Sequence, residues 1–251
     1  MAAPTIGRRP RWAPGISAYF DSTHPTASSL LALWRPGGAD FVNLMNRGDD
    51  LVWSGGAGIV QTASAFGTTL GMDTTSAATT SSSWLDSAPS AGLQPSTAVT
   101  LLWCGVIYGS GSATGSRRLI GMHPDNANGT PFISWGLYRS SATAITAGCG
   151  TSAGFASTSA FTPTVGSNVI ALTYDGANII AYLNGSRVAS VAQTGTLSYT
   201  GTANVTINGY GGASATNGIN AGMTLGAVWG RALTGNEIAA VSAHPFSLLR
   251  Y

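Results

Sequence analysis

Nine carboxylates, three histidines, two cysteines and seven tryptophans are the residues from which this chain can build chemistry. Hydrolysis of a glycosidic bond needs two carboxylates about 5–10 Å apart on one face. Asp49 and Asp50 are adjacent, so on a strand they point to opposite faces. Glu237 is the only glutamate, and it stands three residues after Thr234 at the start of an apolar run. That spacing is a capping box, a structural use of the carboxylate. His24, His123 and His244 each precede a proline, and no Gly-x-Ser-x-Gly turn accompanies them. Triad chemistry therefore has no sequence support. The expectation is a chain that is not an enzyme.

Binding chemistry has more to work with. Asp125, Asn126 and Asn128 make an oxygen-rich loop over residues 124–129, without the spacing of an EF-hand. Trp34, Trp103 and Trp229 sit in apolar runs and belong in the core. Trp84, in the polar stretch SSSWLDS, is the tryptophan expected at the surface and the candidate for stacking on a glycan. Cys104 and Cys149 are expected as two buried free thiols, with a disulfide as the alternative.

The elements that position these residues are mostly strands. In NVIALTYDGANIIAYLNGSRVASV, residues 168–191, Asp175–Gly176 and Asn184–Gly185 are hairpin turns between three alternating runs. This reads as an antiparallel meander. Val99–Tyr108, VTLLWCGVIY, is apolar on both faces and is expected in the middle of a packed sheet. Further strands are expected at Ser28–Trp34, Phe41–Leu44, Leu51–Trp53, Thr68–Asp73, Ser83–Leu85, Arg117–Met122, Phe132–Tyr138, Ala144–Cys149, Ser157–Phe161, Asn204–Tyr210 and Ala221–Trp229. A single short helix follows Thr234, with Ile238 and Val241 facing the body, and His244–Pro245 ends it.

Composition agrees. Only 8% of residues are charged, 44% are apolar, and 34 are glycine. Lysine is absent. This suits many short strands and turns. The net charge of +2 is too small to argue for nucleic acid. No stretch is long and apolar enough for a membrane helix. Met1–Asp21 differs from the rest, with Pro4, Pro10 and Pro14 among Arg8, Arg9, Arg11 and Trp12. It has no apolar run of the signal-peptide kind, so the expected place of synthesis is a cytoplasm. Residues 1–22 are expected as an extended arm and residues 23–251 as one domain. The arm's arginines and tryptophan are anchors suited to docking on a neighbouring protein.

Three segments resemble a known family. ALTYDGANIIAYLNGSRVAS is similar to the central hairpin pair of laminin-G-like, concanavalin-type jelly rolls. LGAVWGRALTGNEIAAVSAHPFSLL resembles that family's closing strand and helix, and THPTASSLLALW its opening strand. The resemblance implies an all-β, two-sheet antiparallel jelly-roll sandwich with one C-terminal helix. It also makes calcium a possible ligand, with Asp73, Asp125 and Asn126 as candidates. GRRPRWAPG, with the terminal HPFSLL, resembles bacteriophage virion proteins that carry this domain. That narrower resemblance implies a non-enzymatic structural protein of the virion, on a tail fibre or as capsid decoration. Such a protein would be a homo-oligomer attached to other virion proteins through its arm. The alternative is a lectin-like module binding host-surface glycans, and a weaker alternative is a hydrolase.

Overall fold

A computed structural model of the chain describes residues 19–36, 41–45, 50–54, 59–64, 67–72, 84–86, 91–109, 117–123, 134–141, 143–199, 204–207 and 221–250. Arg8, Arg9, Arg11 and Trp12 of the expected arm lie outside the described residues, as do Asp73, Asp125 and Asn126. Strand β1 is Tyr19–Phe20, β2 Leu30–Pro36, β3 Phe41–Asn43, β4 Val52–Ser54, β5 Ile59–Ser64, β6 Gly67–Met72 and β7 Trp84–Asp86. Then come β8 Val99–Ile107, β9 Arg117–His123, β10 Trp135–Arg139, β11 Ile145–Thr151 and β12 Gly154–Ser157. The meander is β13 Gly166–Tyr174, β14 Asn178–Leu183 and β15 Ser186–Ala192. The chain closes with β16 Asn204–Ile207, β17 Ala221–Trp229, helix α1 Gly235–Ala243 and β18 Leu249–Arg250.

Two large antiparallel sheets carry the fold. One has nine strands, with β15-β14-β13-β8-β17-β2-β3 in order and the β5–β6 hairpin joined to β17 through β6. The other has seven, in the order β12-β11-β10-β9-β16-β7-β4. As its largely apolar sequence requires, β8 is central, paired with β13 on one side and β17 on the other. Alternation sends Leu101 and Trp103 into the core between the sheets, with Trp34, Ile120, Trp135, Leu137 and Ile170. Leu102 and Cys104 point the other way, into a second apolar layer with Leu225, Ala227, Trp229, Ile238 and Val241. The nine-stranded sheet is thus covered on both faces, by the other sheet and by α1.

The turn from β17 into α1 is fixed by side chains. Thr100 Oγ1 donates to Arg231 O and accepts from Leu233 N–H, both at 2.8 Å. Glu237 N–H donates to Thr234 Oγ1 at 3.3 Å, and Thr234 N–H donates to Glu237 Oε2 at 2.8 Å. The capping box is present as the spacing predicts, and His244 caps the other end before Pro245. Cys104 and Cys149 are free and buried in different apolar layers. Desolvation raises both thiol pKa values.

Three features differ from the sequence reading. Tyr19–Phe20, expected at the end of the arm, is a strand paired with β18 in a third, two-stranded sheet. Asp21 extends it by donating its N–H to Leu248 O and by an ion pair with Arg250, Nε–Oδ1 2.8 Å. Ile59–Ser64 is a strand that its mixed polarity hid. The strand expected at Ser157–Phe161 lies earlier, at Gly154–Ser157, because the chain reverses on Ser152–Ala153 and Thr151 pairs with Gly154. Gln193 Nε2 holds that reversal, donating to Thr151 Oγ1 and to Gly154 O. Phe161 keeps a single pairing, with Ile145.

Candidate functional site

The outer face of the seven-stranded sheet has an unusual floor. Ile120, Met122, Trp135, Leu137, Ala147 and Cys149 all point into the core. Their alternate neighbours Gly121, Gly136 and Gly148 therefore lie on the opposite face. Register places the three side by side, with Thr206 on β16 next to Gly121 and Ser157 on β12 next to Gly148. A row that crosses five strands thus bears no side chain of its own at its three central positions. The result is a trough with strand backbone as its floor, and the three glycines are themselves buried beneath the larger side chains of that face.

Larger side chains border the trough. A bulge between Leu137 and Tyr138 pairs Tyr138 with Arg118 and leaves Leu119 as the extra residue. Leu119 and Ile120 consequently both enter the core. Arg118 is turned outward, and its stem lies over Gly121, with Cδ 3.0 Å from where a Cβ would stand. Tyr138 and Phe155 straddle Gly148 at a ring separation of 6.2 Å and an interplanar angle of 47°. A Cβ at Gly148 would lie 2.8 Å from Phe155 Cζ and 3.0 Å from Tyr138 Cε1. Phe155 is 39% exposed, so the trough is open at the β12 edge.

The inner part of the face is polar and unsatisfied. Ser134 and Thr206 are fully buried, and Ser134 Oγ, Thr206 Oγ1 and Asn204 Oδ1 have no hydrogen-bond partner. A buried hydroxyl left unpaired costs roughly 1–3 kcal/mol, which a ligand hydroxyl in reach offsets. Aromatic rings beside unpaired polar atoms are what a sugar requires: a flat apolar surface for its C–H face and partners for its hydroxyls. Among the described residues, no three His, Cys, Asp or Glu side chains come together to hold a metal. No described helix is long and apolar enough to cross a membrane.

The predicted site residues fare differently. Trp34, Trp103 and Trp229 are fully buried, as expected. Trp84 lies on β7, in the same sheet as the trough and two strands from Gly121 in the strand order, but its side chain lies outside the described residues. Glu237 caps α1 and pairs with Arg231. His24 is a connector, with Nδ1 2.9 Å from Thr26 Oγ1 and Nε2 2.9 Å from Ser247 Oγ. Sequence reasoning missed Tyr138, Phe155, Ser134 and Thr206. The available signal was glycine at alternate positions in ITAGCGT and a glycine between Trp135 and Leu137 in WGLYR.

A family profile of the concanavalin A-like lectin/glucanases superfamily matches residues 72–239. The chain belongs to that superfamily. Among solved structures, this superfamily member resembles the binding domain of Paraclostridial Mosquitocidal Protein 1 at 11% identity and a TM-score of 0.60, covering 85% of this chain and 52% of the other. It resembles Trypanosoma rangeli sialidase at 16% identity and a TM-score of 0.63, covering 89% of this chain and 34% of the sialidase. Domain 4 of AbnA, an extracellular arabinanase of Geobacillus stearothermophilus in complex with arabinotriose, matches at 14% identity and a TM-score of 0.59, over 85% of this chain and 98% of that domain. At these identities the likeness is one of fold. The chain spans about half the length of the mosquitocidal binding domain, 52%, and about a third of the sialidase, 34%. No curated protein matches the sequence.

Proposed function

We propose that the chain is a non-catalytic carbohydrate-binding module whose ligand lies in the glycine-floored trough of the seven-stranded sheet. One observation carries this reading. The Tyr138–Phe155 ring pair opens onto a face whose buried hydroxyls, Ser134 and Thr206, have no protein partner. In this reading a sugar stacks on Phe155 at the open edge. The glycan extends from that edge toward the glycine row and the polar atoms of Ser134, Thr206 and Asn204. Support comes also from the superfamily, and from a structural neighbour of nearly the same extent that was solved with arabinotriose.

The glycan-binding reading is thus better supported than a purely structural role. The virion setting is drawn from the N-terminal resemblance. It makes the module a surface component that recognises host glycans, attached through Arg8, Arg9, Arg11 and Trp12.

The test is a glycan array with the full chain, followed by titration calorimetry on the best hit. Phe155→Ala and Thr206→Val should each weaken binding about tenfold while the fold persists. An array without hits, or a hit that both variants bind normally, would overturn the reading. For the setting, mass spectrometry of purified particles should find the protein, and loss of residues 1–15 should abolish its incorporation.

A further inference from the structure

A cleft at one end of the sandwich carries a different chemistry. It has a volume of about 130 Å³ and is lined by Ile107, Gly109, Arg139, Ile145, Pro163 and Val165, together with Thr143 and Thr162. It sits where β8 ends and β13 begins, beyond the core between the sheets. Its walls are tied down. Phe161 and Ile145 exchange both backbone hydrogen bonds, at 2.9 and 2.8 Å. The fully buried Asn168 donates from Nδ2 to Thr164 O at 2.7 Å and to Gly166 O at 2.9 Å, which fixes the loop carrying Pro163 and Val165.

Arg139 is 6% exposed. Its Nε donates to Ser141 O at 2.9 Å, which orients the guanidinium, while Nη1 is buried without a partner. Burial lowers the Arg139 pKa, yet a guanidinium keeps its proton in proteins. A buried charge left unpaired is costly. The carboxylates whose side chains are described are engaged elsewhere. Asp21 meets Arg250, and Glu237 meets Arg231. Asp50 accepts from Asn43 N–H, and Asp175 from Ala177 and Asn178 N–H. Among the described side chains, no carboxylate meets Nη1.

We propose that this cleft binds a small monocarboxylate with an apolar body. The carboxylate pairs with the Arg139 guanidinium through charge-assisted hydrogen bonds. Ile107, Ile145, Pro163 and Val165 cover the carbon chain. The volume holds about four waters' worth of ligand, which suits three or four carbons and a carboxylate. An acidic sugar shares the carboxylate but would set its hydroxyls against apolar walls.

The experiment is an NMR titration of the full chain, read at the Arg139 Nε–H and the Ile107 and Ile145 methyl groups. The probes are butyrate, butyramide and galacturonate. Butyrate should shift these signals with saturation, at least about tenfold more tightly than the other two. Arg139→Gln should lower butyrate affinity by about tenfold or more. Val165→Asp places a negative charge at the lip, on a side chain 72% exposed, and should also expel butyrate without disturbing the fold. Equal affinity for butyramide would overturn the pairing, and tighter binding of galacturonate would overturn the apolar body. Unchanged butyrate binding in folded Val165→Asp, or in folded Arg139→Gln, would overturn the site.

Discussion

Arg231 and Glu237 meet at two points, Nη1–Oε2 3.0 Å and Nη2–Oε1 2.6 Å, and the same carboxylate closes the capping box of α1. One side chain therefore joins the end of β17 to the helix that covers the second apolar layer. The Arg231 hydrogen bonds, with those from Thr234, pull the Glu237 pKa down from 4.5 to about 2. A carboxylate held below its unfolded value stabilises the fold above the unfolded pKa. That stabilisation is lost as pH falls from about 4.5 through about 2. Both side chains are about a quarter exposed, at 28% and 27%, so screening leaves about 1 kcal/mol of it. Denaturant melts at pH 7 and pH 2 should show Glu237→Gln less stable than the wild type at the former, with most of that difference gone at the latter.

Gly148→Ala tests the trough without touching its polar groups. The added methyl would stand 2.8 Å from Phe155 Cζ and 3.0 Å from Tyr138 Cε1, so the two rings must part. The rings are side chains at an open edge, and the stability loss should stay below about 2 kcal/mol. Near-UV circular dichroism should change, and glycan affinity should fall with it.

Trp103→Ala tests the core. Trp103 is fully buried on the central strand β8. The substitution should cost roughly 3–5 kcal/mol in denaturant melts. A loss under about 1 kcal/mol would mean that β8 is not central.

Gly185→Val tests the meander turn. Gly185 has φ +85°, and a Cβ there would lie 3.2 Å from Ala239 Cα and 3.4 Å from Ser242 Cβ on α1. Valine at positive φ is strained, and here it also meets the helix. A loss of about 1–3 kcal/mol is expected in thermal or denaturant melts.

The two thiols should be silent in the folded protein. Cys104 and Cys149 are fully buried, and desolvation holds their pKa values up. Ellman's reagent at pH 8 should modify neither in the native state and both in denaturant. Reaction before unfolding would mean that one of the apolar layers is open.

The sequence carried most of the architecture because its signals there are local. Asp175–Gly176 and Asn184–Gly185 turn within two residues each, β8 shows its burial in its own nine residues, and Thr234 with Glu237 declares the helix start. The candidate site is not local. Its floor takes one glycine from each of three strands, and its rim depends on a bulge that turns Arg118 outward. Register between distant strands decides both, and no window of sequence contains it. The pairing of Tyr19–Phe20 with Leu249–Arg250 was hidden for the same reason, being two short strands from opposite ends of the chain.

That last pairing fixes how the domain can be mounted. Phe20, Leu248 and Leu249 pack in the layer with α1, on the side of the nine-stranded sheet away from the trough. Tyr19, the first described residue, therefore stands at the back of the sandwich. Copies held to a common surface by that back face would turn their troughs outward together. Each trough could then bind weakly and the array still hold firmly, because effective concentration multiplies single-site affinities.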